Sequence, residues 1–380
     1  MEELTLQDLQ KKVLGTRLLD ARKARGLTQE EAAQVINVAR TTLLNIEQGK
    51  RAPTAVELAK LAHEYGRDVS DLLNMEGTLT TADIQFRAVE AEVEETDDQV
   101  TFKTLCQDYY DLERLSGTQL QSNYPPEYKT ENLGIEQASA TIASKERNRL
   151  GLGDKPIGSN FRDMLESEVG LTIFYFPMRR ISGMYFFADV LGGCIAINSN
   201  EKYEERRRWS LAHEYAHFLT NRYRPDVVLY SDDGIAVKGR SDTLADYFAR
   251  YFLMPTSSIN LRYSELVQEH GKFSPATLCV MANEFGVSAQ AMALRLEGEG
   301  LRPSGWYERL LKGGFKPRQA LEMLNLTPIS GRDDLLPTRF KQRAIEAYYS
   351  GKIDEGTLSD YLRLGIYQTR LLIDALIFDQ

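Results

Sequence analysis

The stretch WSLAHEYAHFLT, residues 209–220, gathers the side chains best suited to chemistry. The chain has four histidines, and two of them, His213 and His217, stand four apart with Glu214 between them. Positions four apart on a helix share one face, about 5–6 Å from each other, so both imidazoles can reach a single metal ion. Glu214 follows His213 directly and points to the side of that face, where it can take a proton from metal-bound water without being a ligand. A catalytic zinc needs three protein ligands and an open position, so a third ligand has to come from another segment. The competing reading is a pair of solvent-facing histidines on a surface helix, and H-E-x-x-H arises by chance in roughly one chain in a hundred of this length. Leu211, Ala212, Ala216 and Phe218 favour a buried helix, in which two unpartnered imidazoles would be costly.

The surrounding segments must position that helix. EKYEERRRWSLAHEYAHFLTNRY is predicted helical throughout. Before it, LTIFYFPM, ISGMYFFADV and GCIAINSN are rich in β-branched and aromatic residues and are separated by Gly, Pro and Asn, which predicts a small sheet. NFRDMLESEVG, just upstream, has the spacing of an amphipathic helix. After the histidines, SDTLADYFARYFLMP predicts another helix with Asp242 and Asp246 on one face. Two readings of these acids stay open: a carboxylate source for the metal, or acids placed near a helix N-terminus, where the macrodipole favours them.

The first 75 residues are of a different kind. Leu14, Leu18 and Leu19 share a face of a first helix that is expected to end at Gly26. Thr28 and Glu31 have the spacing of a capping box at the start of a second helix that turns Ala32, Ala33 and Ile36 inward. A third helix follows Ala39 and buries Leu43, Leu44 and Ile46. Short helices joined by tight turns make a helix-turn-helix arrangement. From Lys12 to Leu73 ten basic residues face eight acidic ones; against a net charge of −9 for the chain, that +2 leaves −11 for the remainder. Only this first domain is therefore electrostatically suited to DNA. A small helical protein-interaction module is the plain alternative.

At 380 residues the chain calls for two or three domains. No apolar run approaches the about 18 residues a bilayer requires, and the acidic, polar opening MEELTLQDLQ is no signal peptide. Cys106, Cys194 and Cys279 are scattered and odd in number, without a disulfide framework or a C-x-x-C pair, as expected for three free thiols in a reducing cytoplasm. No membrane partner is expected.

RGLTQEEAA, ARTTLLNIEQGKRAPT and LAKLAHEYG closely resemble the Cro and phage-repressor (XRE) family. The resemblance implies a third helix in the major groove of a double-stranded DNA operator. It makes Arg40, Thr41, Thr42 and Asn45 the base-reading candidates, with Gln29, Lys50 and Arg51 at phosphates or the groove edge. One such domain covers a half-site, so a homodimer is expected. Further on, FRDMLESEVGLTIFYFP, GCIAIN, RRRWSLAHEYAHFLT and ADYFARYFLMP look like the ImmA/IrrE metallopeptidase family, over roughly residues 150–301. That resemblance implies zinc as cofactor, His213, His217 and Asp242 as its ligands, and Asp246 orienting a ligand histidine through its second N–H. The family usually offers Glu where this chain has Asp242 and Asn where it has Asp246. Asp is one methylene shorter, which brings a metal closer to that helix or weakens its hold. In peptidases of this layout an edge strand pairs with extended substrate, and Ile195, Ala196, Ile197 and Asn198 are expected to do so, sheet core being the alternative.

The expected class is α+β, mostly α. Residues 1–75 are expected to form an XRE domain, 76–149 a helical and acidic linker with six acids between Glu90 and Asp98, 150–301 a zincin-like domain, and 302–380 a helical module, with a winged-helix-like form as one reading of it. Function follows as a transcriptional regulator whose zinc endopeptidase, with Glu214 as its base, cleaves or binds a partner repressor or toxin-type protein. The alternative is a non-proteolytic transcription factor or an antitoxin whose zinc domain is structural or senses a ligand.

Overall fold

The computed structural model describes residues 6–24, 27–65, 69, 97–117, 123–130, 133–179, 181–188, 191–222, 228–231 and 239–377. Two expectations, the Gly26 cap and the acidic run up to residue 96, lie outside these residues. The chain divides into two compact units, Met1–Ile84 and Gln85–Gln380.

In the first unit, α1 (Leu6–Ala24), α2 (Gln29–Val35), α3 (Arg40–Glu47) and α4 (Ala55–Tyr65) surround a core that includes Leu18, Ala32, Leu43, Ile46 and Leu61. Thr28 and Glu31 close the capping box that starts α2. α1 can approach α3 closely only because residue 15 is glycine: a Cβ there would lie 2.4 Å from the Ile46 carbonyl oxygen. Inside the core, Arg22 pairs with Glu47 at 2.6 Å, both side chains almost wholly buried, and Gln29 Nε2 donates to the same carboxylate at 2.9 Å. Removing one partner of such a pair leaves an uncompensated buried charge.

The second unit is built on a four-stranded sheet of β1 (Thr172–Phe176), β2 (Ile181–Ala188), β3 (Gly192–Asn198) and β4 (Val228–Ser231), in the order β1-β3-β2-β4. β3 runs parallel to β1 and antiparallel to β2, and β4 is antiparallel to β2. β4 is a strand the sequence pattern did not predict. Every residue of β1 and β3 is buried because both faces of the sheet are covered. Ile173, Tyr175, Ile195 and Ile197 turn to the main core beneath α8 (Glu204–Thr220). On the other face Phe174 meets Phe102 of α5 (Asp97–Ser116) and Phe340 of α15 (Thr338–Tyr349). Upstream of β1, the predicted amphipathic helix is a short α7 (Phe161–Met164) that runs into one π turn, Leu165–Val169.

The C-terminal segment is part of this unit, not a module of its own. After α9 (Arg240–Leu253) come α10 (Thr256–His270), α11 (Pro275–Phe285), α12 (Ala289–Gly298), α13 (Trp306–Lys312) and α14 (Pro317–Met323), then α15, α16 (Glu355–Leu362) and α17 (Ile366–Ile377). No strand, and so no wing, occurs among the described residues after 301. The Tyr175 amide donates to the Leu335 carbonyl at 3.1 Å, and buried Arg162 reaches the Asp334 carbonyl at 2.6 Å. Arg339 also pairs with Glu113 of α5 at 2.7 Å. The sequence suggested a boundary at 301 because the motifs end there; the packing does not respect it.

Glu47→Ala is expected to destabilise the first unit by about 3 kcal/mol. Hydrogen exchange of the α3 amides, accelerated with those of the second unit unchanged, is the measurement that checks it.

Candidate metal centre

α8 carries the two histidines through the middle of the second unit. Eleven of its 17 residues are buried, and His213 and His217 are 1% and 0% exposed. A surface helix with two solvent-facing imidazoles is thereby excluded. α9 packs against α8 and is itself backed by α6 (Ile135–Arg149), where Ser139 Oγ donates to the Leu244 carbonyl at 2.9 Å. The two helices run antiparallel, so the i, i+4 pair of α9 meets the i, i+4 pair of α8 in reverse order: Asp246 faces His213 and Asp242 faces His217.

The distances define a small centre. His213 Nε2 and His217 Nε2 are 3.2 Å apart, and Asp242 Oδ1 is 3.5 Å from His217 Nε2. One ligand atom from each of these three residues falls within 4.8 Å of the others. His213 Nδ1 lies 3.0 Å from Asp246 Oδ1, and His217 Nδ1 lies 3.2 Å from Ser241 Oγ, to which Asn221 donates. With both Nδ1 atoms engaged outward, both Nε2 atoms are directed at the same point. Asp242 Oδ1 is buried and accepts no hydrogen bond, while its other oxygen caps α9 at the Gly239 amide, 3.2 Å away. A buried, unpartnered carboxylate oxygen facing two imidazole nitrogens is costly in a protein alone. Two nitrogens and one carboxylate oxygen are a donor set suited to zinc with a position left open, so the residues present fit such an ion.

Electrostatics point the same way. Burial, and then the neighbouring His213, push the His217 imidazole down to about 3, which keeps it in the neutral form a metal requires. Burial, and then the charge of Asp242, hold the Glu214 carboxyl well above the usual range. Glu214 Oε2 is buried without a hydrogen-bond partner, and the carboxyl lies directly against β2. A Cβ on Gly183 would come within 2.7 Å of Glu214 Oε1, so any larger residue on β2 here forces the Glu214 side chain to shift.

The structure brings His213, Glu214, His217, Asp242 and Asp246 together, but it overturns the expected substrate strand. Ile195, Ala196, Ile197 and Asn198 lie in β3, which is hydrogen-bonded to β1 on one side and β2 on the other. Its backbone groups are already used, and the Asn198 side chain bonds the backbone at Met178 and Ile181. Edge position depends on strand order, which alternation of residue types does not encode. Ser241, Asn221 and Gly183 were missed. Ser241 is adjacent to Asp242 and could have been noticed there; Gly183 and Asn221 carry no local signal.

In the first unit Arg40, Thr41, Asn45 and Lys50 are exposed, and Thr42 is half-buried on the same helix. Gln29 is bound on both sides, to Glu47 and, through Oε1, to Arg40 Nε at 3.3 Å. Arg51 pairs with Glu57 at 2.9 Å. These two half-buried side chains already have partners within the unit.

Residues 18–72 match the helix-turn-helix family, and residues 166–297 match the IrrE N-terminal-like domain. The chain belongs to the helix-turn-helix transcriptional regulators and carries an IrrE-like domain behind its DNA-binding-type head. Among its relatives is an uncharacterized helix-turn-helix transcriptional regulator of Methanothermobacter thermautotrophicus, 36% identical over 53 residues, which are 14% of this chain and 77% of that protein. The transcriptional regulator ImmR of Bacillus subtilis is 29% identical over 102 residues, 26% of this chain and 80% of its own. Bacillus thuringiensis PlcR, solved with the peptide PapR7 and DNA, is 12% identical with a TM-score of 0.18, covering 96% of this chain and 99% of PlcR; a likeness so weak supports no argument.

Because the clash at residue 183 is with Glu214, Gly183→Ala is expected to destabilise the second unit by about 1–3 kcal/mol. In a double-mutant cycle with Glu214→Ala, measured by urea denaturation, most of that loss should disappear; additive losses would show that the strand itself is at fault.

Proposed function

We propose that the second unit is a zinc-dependent endopeptidase acting on a partner protein, and that the helix-turn-helix unit holds the chain at a DNA operator. The observation that carries the reading is the convergence of His213 Nε2, His217 Nε2 and the unpartnered Asp242 Oδ1, with the buried Glu214 beside them. A zinc ion bound by these three residues supplies Lewis-acid polarisation of a carbonyl and lowers the pKa of its water to about 7. The chain's own residues do the rest. Asp246 and Ser241 hold the two imidazole rings in orientation through their Nδ1 atoms. Glu214, once ionised, takes the proton from the attacking water and returns it to the leaving amine. The burial and the Asp242 charge that raise its pKa are both offset by a cation at the centre. An extended substrate has β4, the outer strand beside β2, as its pairing edge on this side of the sheet.

The partner is a repressor or toxin-type protein, and the setting is the cytoplasm; no described helix is long and apolar enough to cross a membrane. In the first unit Arg40, Thr41, Thr42 and Asn45 read bases from α3 while Lys50 contacts phosphate. Gln29 and Arg51 act by holding Arg40 and the turn after α3 in place. Two copies are needed to cover a full operator.

The chain purified with zinc is expected to hold one ion, and Glu214→Gln is expected to keep that ion while losing cleavage of the partner. If the partner is cut equally well by Glu214→Gln, the peptidase reading fails. For the first unit, Arg40→Ala together with Asn45→Ala should abolish selective operator retention in a gel-shift assay, with circular dichroism unchanged.

A further inference from the structure

A cavity of about 380 Å³ lies one turn beyond the metal centre, lined by Arg206, Trp209 and Ser210 of α8, Arg250 of α9, Leu294 of α12 and Arg318 of α14, among others. Its place follows from helix geometry. Arg250 is four residues beyond Asp246 and eight beyond Asp242, so it extends the carboxylate row of α9 by one turn, about 6 Å. Ser210 and Arg206 precede His213 by three and seven residues and extend the imidazole row of α8 in the same manner. Because the helices are antiparallel, with His213 against Asp246 and His217 against Asp242, both rows run on toward the same end and into this cavity.

The charge of the cavity is unusual for this chain. Its charged lining is three arginines against Glu205 alone, in a protein of net charge −9. Arg206 is paired with Glu201 at 3.0 Å, and Arg318 pairs with Glu205 while lying over the Tyr203 ring at 3.6 Å. Arg250 is different. It is half-buried, sits 4.9 Å from the Tyr247 ring centroid, and makes no ion pair or side-chain hydrogen bond among the described residues. A partly desolvated guanidinium with five donors and no acceptor is matched by a carboxylate, which it binds with two parallel hydrogen bonds. Trp209 and Leu294 offer the apolar wall that the methylenes of such a side chain need.

We propose that this cavity is the recognition subsite for an acidic side chain, Asp or Glu, of the peptide that crosses the metal centre, and that Arg250 pairs with its carboxylate. The proposal rests on the peptidase reading for the identity of its ligand as a peptide substrate. Arg250 selects which peptide is held and takes no part in the proton transfers assigned to Glu214.

The test uses the full chain with Glu214→Gln, so that bound peptide persists, and two end-capped peptide pools that differ only in a central Glu or Gln. Fluorescence polarisation should show the Glu pool binding about tenfold tighter, the worth of one charge-assisted pair at a half-buried position. Arg250→Gln should erase the difference and Arg250→Lys should keep part of it, with zinc content and circular dichroism unchanged. Equal binding of the two pools, no binding of either, or a preference that survives Arg250→Gln overturns the proposal. So does free glutarate binding as tightly as the Glu pool, since the ligand would then be a small acid. If the unsubstituted chain never cuts the Glu pool yet the Arg250-dependent preference holds, the subsite stands and only hydrolysis is lost.

Discussion

Antiparallel contact between α8 and α9 is the constraint on which the second unit depends. It sets two rows of polar side chains against each other inside an apolar core, where each is stable only if it finds a complement. His213 finds Asp246, and His217 finds Ser241 and, through it, Asn221. Asp242 Oδ1 accepts no hydrogen bond, and it converges with the two inward imidazole nitrogens. An arrangement of this kind gains most from a cation, because a single ion compensates three groups at once.

The rest of the unit keeps those rows in register. α6 backs α9, the sheet backs α8, and Gly183 lets β2 come close enough to confine the Glu214 carboxyl. Buried arginines act as rivets between segments distant in sequence. Arg208 donates to the carbonyls of Ile157, Gly158 and Gly286, and Arg162 to those of Ile173 and Asp334. Through Arg162, Leu335 and Phe340 the C-terminal segment closes the far side of the sheet, so truncation after residue 301 would uncover β1 and Phe174. The first unit uses the same device on a smaller scale, with Arg22 and Glu47 joining α1 to α3 and Gln29 adding α2.

Much of the site was legible because helices encode their faces at short range. Spacing of four made His213 and His217 neighbours, and made Asp242 and Asp246 neighbours, before any packing was considered. The Thr28–Glu31 capping box and the starts of α2 and α3 were equally local, which is why the head of the chain read clearly. Sheet order is a different matter. Residues 195–198 looked like a strand and are one, but their exclusion from the edge follows from β1 and β2 taking both sides, a choice made by connections far along the chain. β4 is only four residues long, too short for its pattern to announce it.

By itself, then, the sequence determined the short-range features: the shared helix faces of His213 with His217 and of Asp242 with Asp246, and the capping box and turns of the first unit. The tertiary structure decided what those faces meet. Only the antiparallel approach of α8 and α9 assigns Asp246 to His213 and Asp242 to His217, and brings Ser241 behind the second histidine. The same approach places Arg250 on the row that leads out of the centre, where nothing in its own neighbourhood of the sequence distinguishes it from the chain's other arginines. The reason is range: hydrogen bonding within a helix repeats every few residues and leaves a local pattern, whereas contact between elements depends on the path of the whole chain.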